Sequence, residues 1–261
     1  MSRALYTAAT GMHAQQLKID VIANNLANVN TDGYKQSRAE FKDLIYQNLR
    51  LAGDVTTGST VGLQVGLGVR PSATVHNFEE GQLKETRNPL DVAISGPGFM
   101  QVRMPSGEVV YTRNGALQIT DDGELVTLEG YSLEPPITLP TDANSDNVVV
   151  RPDGTVFVNF DSSDRRDIEV GRLQLVRMLN EGSLQSLGNS LFRANGDSRA
   201  IRIGTPGDEG FGTLQQGYKE TSNVKVVQEM ISMITGQRAY EANSKVIQAA
   251  DRMLEEANRL R

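Results

Sequence analysis

Cysteine and tryptophan are absent from the 261-residue chain, and histidine occurs only at positions 13 and 76. Without cysteine there are no disulfides, thiolate zinc sites, iron–sulfur clusters or cysteine nucleophile. Two histidines leave little for an imidazole metal site. Long apolar runs are missing too. The longest strongly apolar stretch is MISMI at 230–234, far short of the roughly 20 residues a membrane-spanning helix needs. There is also no basic stripe. The net charge is −6, and residues 1–40 and 224–261 each carry one net positive charge, which leaves −8 for residues 41–223. Neither nucleic acid nor direct insertion into a membrane is expected. The first twenty residues, MSRALYTAATGMHAQQLKID, lack a continuous apolar core, so export by a cleavable secretory signal is not expected either.

Catalytic signatures are missing as well. There is no GxSxG elbow and no P-loop. GLGVRP at 66–71 begins like a dinucleotide loop but lacks its third glycine. Asp142, Asn144, Asp146 and Asp153 fall at positions 1, 3, 5 and 12 of a calcium loop, but position 6 is Asn147 instead of glycine. A polar loop between strands is the plainer reading. His13 has no ligand-type residue three or four positions away, and His76 stands among acidic residues with no inferable cleft. The adjacent acids Asp121/Asp122 and Glu255/Glu256 do not converge on one point. No cofactor, no metal and no enzymatic activity are expected.

What is present lies mostly at the two ends. Leu5, Met12, Ile19 and Leu26 recur every seven residues, with Ala8, Gln15, Ile22 and Val29 offset by three. This predicts a helix over residues 1–29, about 40 Å long, stopping in NVNTDGYK. Met233, Tyr240, Ile247 and Leu254 repeat likewise, beside a row of smaller residues at Gly236, Asn243, Ala250 and Ala257. This predicts a second helix over the last 38 residues or so, capped by Thr221, Ser222 or Asn223. Between 224 and 234, apolar residues point in nearly all directions, which calls for burial on every side.

The middle differs. Short alternating runs from 91 to 220 are separated by glycine turns, and VVVRPDGTVFVNF is a hairpin signal around Pro152-Asp153-Gly154. FKDLIYQNL (41–49) reads as a short helix, followed by a glycine-rich extended ribbon or hairpin, AGDVTTGSTVGLQVGLGV.

Two apolar stripes about 190 residues apart cannot both stay in water, since each large apolar side chain contributes about 1.5–3 kcal/mol on burial. The fold class expected is therefore α+β. The N- and C-terminal helices pair as a coiled-coil domain, and β-rich domains are looped out between them. The apolar surplus at 224–234 is most economically covered by other copies of the same chain, and contacts between unlike surfaces that do not close give helical filaments. The expected self-assembly residues are Leu5, Met12, Ile19, Ile22, Leu26, Val227, Met230, Ile231, Ile234, Tyr240, Ile247 and Leu254. Asn24, Asn25 and Asn28 join them as a polar latch that fixes register.

ATGMHAQQLKIDVIANNLANVNTDGYK resembles the N-terminal signature of bacterial flagellar rod and hook proteins. GYKETSNVKVVQEMISMITGQRAYEANSKVIQAADRML resembles that family's C-terminal signature, and LDVAISGPGFMQV and YTRNGALQI resemble its shared middle domain. The length separates the chain from the small proximal rod subunits, and hook proteins are generally longer. The resemblance implies three parts. Residues 1–34 with 222–261 would form an inner coiled-coil domain lining a tube. Residues 35–90 with 200–221 would form a connecting domain, and residues 91–199 a β-rich outer domain. It also implies a structural, non-catalytic subunit of a helical homopolymer. Its partners would be proximal rod and hook subunits and the surrounding peptidoglycan- and outer-membrane-ring proteins. Export would go through the flagellum's own apparatus, into a rod crossing the periplasm. Within the family, a paralogous rod protein of similar length and the hook protein are the alternatives; two rival classes are a secreted β-rich glycan hydrolase using acids such as Asp121 and Asp153, and a chaperone-like binding module of fixed oligomeric size.

Overall fold

The computed structural model describes residues 2–50, 62–140, 143–160, 168–194 and 201–259. It is α+β, with a long helix near each terminus and strands between them. Contacts divide the chain into two units. The first comprises residues 1–27, 37–77 and 225–261, and the second residues 28–36 and 78–224. The chain therefore passes between units four times.

Unit 1 holds helix α1 (Ser2–Ala27), strands β1 (Ser37–Asp43), β2 (Tyr46–Arg50), β3 (Leu63–Gly66) and β4 (Val69–His76), and helix α2 (Val226–Arg259). The helices coincide with the two heptad segments. On α1 the offset row supplies the buried positions Ala8 and Ile22, and on α2 it supplies Gly236 and Ala250. Strands β1 and β4 pair antiparallel, from Ser37 opposite His76 to Asp43 opposite Val69, with a bulge at Glu40/Phe41. Strands β2 and β3 pair antiparallel beyond them.

These strands correct the helix expected at 41–49. Phe41, Leu44, Ile45 and Leu49 have helix-like spacing, but strand pairing with residues 63–76 satisfies the backbone instead, and such tertiary pairing overrides local preference. Gly68 makes the return possible. Its φ is +118°, its carbonyl accepts the Leu44 amide at 2.8 Å, and a Cβ there would lie 2.3 Å from the Thr10 hydroxyl of α1. The ribbon's central part, residues 51–61, lies outside the described residues, as does Asp142 of the calcium-like spacing.

Unit 2 is the β-rich middle. Its strands are β5 (Leu83–Glu85), β6 (Val92–Ser95), β7 (Phe99–Arg103), β8 (Val109–Thr112), β9 (Leu117–Ile119), β10 (Leu125–Thr127), β11 (Ser132–Glu134), β12 (Val148–Val150), β13 (Thr155–Val158) and β14 (Ile168–Arg172). They continue with β15 (Leu175–Met178), β16 (Leu184–Gly188), β17 (Leu191–Ala194), β18 (Ile201–Gly204), β19 (Thr213–Gln216) and β20 (Tyr218–Glu220). The main sheet runs β16-β17-β8-β7-β11-β10-β9, and β15 joins β7 to β18. The hairpin expected around Pro152-Asp153-Gly154 is β12–β13, next to β14.

A continuous core of Val92, Ile94, Val102, Val110, Leu175 and Leu214 is essentially inaccessible. A second cluster sets Phe78, Phe99 and Phe192 edge to face, with centroids 5.1–6.3 Å apart. Gly115 has no room for a side chain, because a Cβ would sit 1.7 Å from the Val92 carbonyl oxygen.

Candidate self-assembly interface

α1 and α2 pack against each other within unit 1, and three contacts fix the direction. A Cβ on Gly11 would meet the Asn243 amide at 2.9 Å, and one on Gly236 would meet Ile19 at 3.3 Å. The Asn25 amide donates to Glu229 Oε2 at 3.4 Å. Residues 11, 19 and 25 thus face 243, 236 and 229, so the helices run antiparallel. Glycines at two of these points let the backbones approach closely, which is what a small residue on a helix seam provides.

Asn25 is the polar centre of this pair. Its Oδ1 accepts the Ser37 amide at 2.9 Å and its Nδ2 donates to the Ser37 carbonyl at 2.8 Å. One buried amide side chain therefore ties the end of α1 to the start of β1 and to the first turn of α2. Buried polar groups hold position only when satisfied, and Asn25 supplies both donor and acceptor to the Ser37 backbone. Asn24 is exposed, while Asn28 is half-buried and accepts the Thr31 hydroxyl at 3.2 Å. Of the three asparagines, Asn25 reaches between elements in this way.

The remaining residues expected at the interface separate into two groups. Ile22 is buried, and Leu5, Met12, Ile19, Leu26, Ile247 and Leu254 are half-buried. Val227 is 72% exposed, Met230 and Ile231 51% each, Ile234 48% and Tyr240 40%. The row of α2 that meets α1 is the small and polar one at Glu229, Gly236 and Asn243, so its most apolar positions remain outside.

The ribbon adds further ones that the sequence reading missed. Ile45 is 82% exposed, and Tyr46, Leu49 and Leu63 are each about half exposed. A two-stranded ribbon is at best marginally stable alone in water. Glu229, the one acid between 224 and 234, was the readable sign that one face of that run had a polar partner.

Three family descriptions match the chain in order. "Flagella basal body rod protein" covers residues 5–35, "Flagellar hook protein FlgE/F/G D1 domain" residues 93–158, and "Flagellar basal body rod FlgEFG protein C-terminal" residues 215–260. The first and last contain the two helices and the exposed face of α2. The flagellar basal-body rod protein FlgG of Borreliella burgdorferi is 45% identical over 264 residues, spanning 100% of this chain and 99% of its own. The chain belongs to the FlgG family of flagellar basal-body rod proteins. FlgG of Caulobacter vibrioides is also 45% identical, over 99% of both chains, and FlgG of Bacillus subtilis is 36% identical over 98% of both. The chain is a structural subunit of the flagellar basal-body rod. The family resemblance read from the termini and from LDVAISGPGFMQV therefore stands, and among the described residues no helix is long and apolar enough to cross a membrane.

Proposed function

We propose that this subunit polymerises with copies of itself into the distal part of the rod, a helical tube that carries torque from motor to hook. The observation that carries the reading is the apolar face of α2, from Val227 to Ile234, left exposed in a single chain that otherwise has a complete core. Each such residue contributes about 1.5–3 kcal/mol when a neighbour covers it. In this reading α1 and α2 form a coiled coil lining the tube, and the apolar residues of α2 and of the β2–β3 ribbon are buried by adjoining copies. Asn24, Asn25 and Asn28, with Leu5, Met12, Ile19, Ile22, Leu26, Tyr240, Ile247 and Leu254, set the register of that packing.

The three-part layout belongs to the assembled rod. Residues 1–34 with 222–261 lie innermost, 35–90 with 200–221 connect, and 91–199 lie outermost. Proximal rod and hook subunits adjoin the two ends, and peptidoglycan- and outer-membrane-ring proteins surround a shaft that spans the periplasm. The subunit reaches that place through the flagellar export apparatus, and it performs no catalysis.

Deleting residues 1–27 and 225–261 tests this. The cut spares residues 28–36, which belong to unit 2. A folded, monomeric β-rich protein that forms no rods at any concentration is expected. Rod formation by the truncated chain would overturn the reading.

A further inference from the structure

Unit 2 contains a buried charge cluster built from residues far apart in sequence. The carboxylate of Glu220, the last residue of β20, is fully buried. Its Oε1 accepts the Lys35 ammonium at 2.6 Å and the Gly81 amide at 2.8 Å, and its Oε2 accepts the Arg113 guanidinium at 2.6 Å. Arg113 in turn donates to the carbonyls of Gly98, Gly96 and Ile94 at 2.9, 3.1 and 3.3 Å, which roots the cluster in the chain around β6 and β7. Lys35 also donates to the Glu79 carbonyl at 2.7 Å. Asn223 donates to that same carbonyl at 3.0 Å and accepts the Gln36 amide at 2.7 Å. The Gly33 amide donates to the Glu220 carbonyl at 2.8 Å, and the Thr221 amide to the Gln82 carbonyl at 2.9 Å.

These residues share a position in the chain. The chain enters unit 2 at residues 28 and 78 and leaves it at residues 36 and 224. Gly33, Lys35 and Gln36 lie in the segment between the first two crossings, Glu79 and Gly81 follow the third, and Glu220, Thr221 and Asn223 precede the fourth. Two cations share one carboxylate, so the cluster holds a surplus positive charge inside the protein. A buried arrangement of this kind is weak evidence for stability, since apolar residues often stabilise as well or better, but it does specify one geometry.

We infer that Lys35, Arg113 and Glu220, with Glu79 and Asn223, form a positioning site for rod assembly, a clasp that holds the chain segments at 33–36, 79–82 and 220–223, beside the crossings, to the core of unit 2. These crossings are the covalent links from unit 2 to the helices. Slack there would let a subunit yield, and the clasp removes it. This goes beyond polymerisation itself and is read first on the single chain.

Amide hydrogen exchange in the full-length Glu220→Gln and Lys35→Met proteins tests it. In both, the amides of Gly33, Gln36, Gly81 and Thr221 should exchange about tenfold faster or more, while those of β7 and β8 change less than about twofold, because local opening is separable from global unfolding. Rods grown from either variant should bend more, read as a shorter persistence length. Unchanged exchange at the four crossing amides, or equal acceleration at β7 and β8 in both variants, would overturn the clasp. Failure of the unsubstituted chain to polymerise would instead sink the reading of self-assembly and leave the exchange result standing.

Discussion

Unit 2 is finished as a single chain, and unit 1 is not. In unit 2, Val92, Ile94, Val102 and Leu175 have no accessible surface, and its exposed large apolar residues, Leu179 and Ile203 the most open among them, are spread over separate strands and turns. In unit 1, the helix seam is made of Gly11, Gly236, Asn243 and the Asn25–Glu229 pair, while Val227, Met230, Ile231 and Ile234 face outward. Apolar residues are plentiful in both, so composition does not make the difference. The difference lies in where the small and polar residues stand. On α2 they occupy the face that meets α1, which leaves large apolar residues on the exposed face. In the proposed reading, neighbouring copies cover that face on assembly.

Substitutions can break this contrast in order of size. Ile94→Ala in the core of unit 2 should cost about 2–5 kcal/mol in urea unfolding, the usual range for a buried aliphatic residue. Gly115→Ala should cost about 1–3 kcal/mol, because its Cβ would meet the backbone oxygen of Val92 and the backbone must move. Gly11→Ala, on the helix seam, should stay within about 0.5 kcal/mol. There the Cβ meets only the movable end of Asn243, and helix propensity favours alanine. Val227→Ser should change subunit stability by less than about 0.5 kcal/mol while rod growth, followed by sedimentation, falls sharply. A large stability loss for Val227→Ser would mean that unit 1 is complete without neighbours.

Acid sharpens the same contrast from the side of unit 2. Burial alone would raise the Glu220 carboxyl, but the Arg113 guanidinium, the Lys35 ammonium and the Gly81 amide outweigh it and hold the group below its usual range. Burial pulls the Lys35 ammonium down, and Arg113 adds to this, by more than the shared carboxylate restores. A carboxyl depressed in the folded state contributes stability that is present above its unfolded pKa of about 4.3 and is lost as pH falls through its folded value. Urea midpoints of unit 2 should therefore drop below about pH 4, and Glu220→Gln should flatten that acid limb. An unchanged acid limb in the variant would remove Glu220 from the account.

The helices were legible because heptad spacing is local. Leu5, Met12, Ile19 and Ile22 fall on the less accessible face of α1, and Gly236 and Ala250 on that of α2. The β-rich middle was legible through its glycine turns, as in β12–β13. The glycine-rich stretch read correctly as extended where it is described, at β3, but the strands at 41–49 were not legible, because the helix-like spacing of Phe41, Leu44 and Ile45 says nothing of the partner strand near residue 70 that decides the outcome. Asn25 stood out by its poor helix propensity, and the turn after it was legible in NVNTDGYK, but its bonds to the Ser37 backbone and to Glu229 depend on where β1 and α2 come to lie. The cluster of Lys35, Arg113 and Glu220 left no trace at all. Its members are separated by 78 and 107 positions or more, and an isolated charged residue reads as surface until the fold brings its counterpart.

The central claim is that the outward face of α2 is buried between copies. Since the natural chain contains no cysteine, Val227→Cys gives a single thiol whose labelling rate can be compared in the monomer and in assembled rods. Rapid labelling of the monomer and strong protection in the rod are expected. Equal rates in both states would contradict the account.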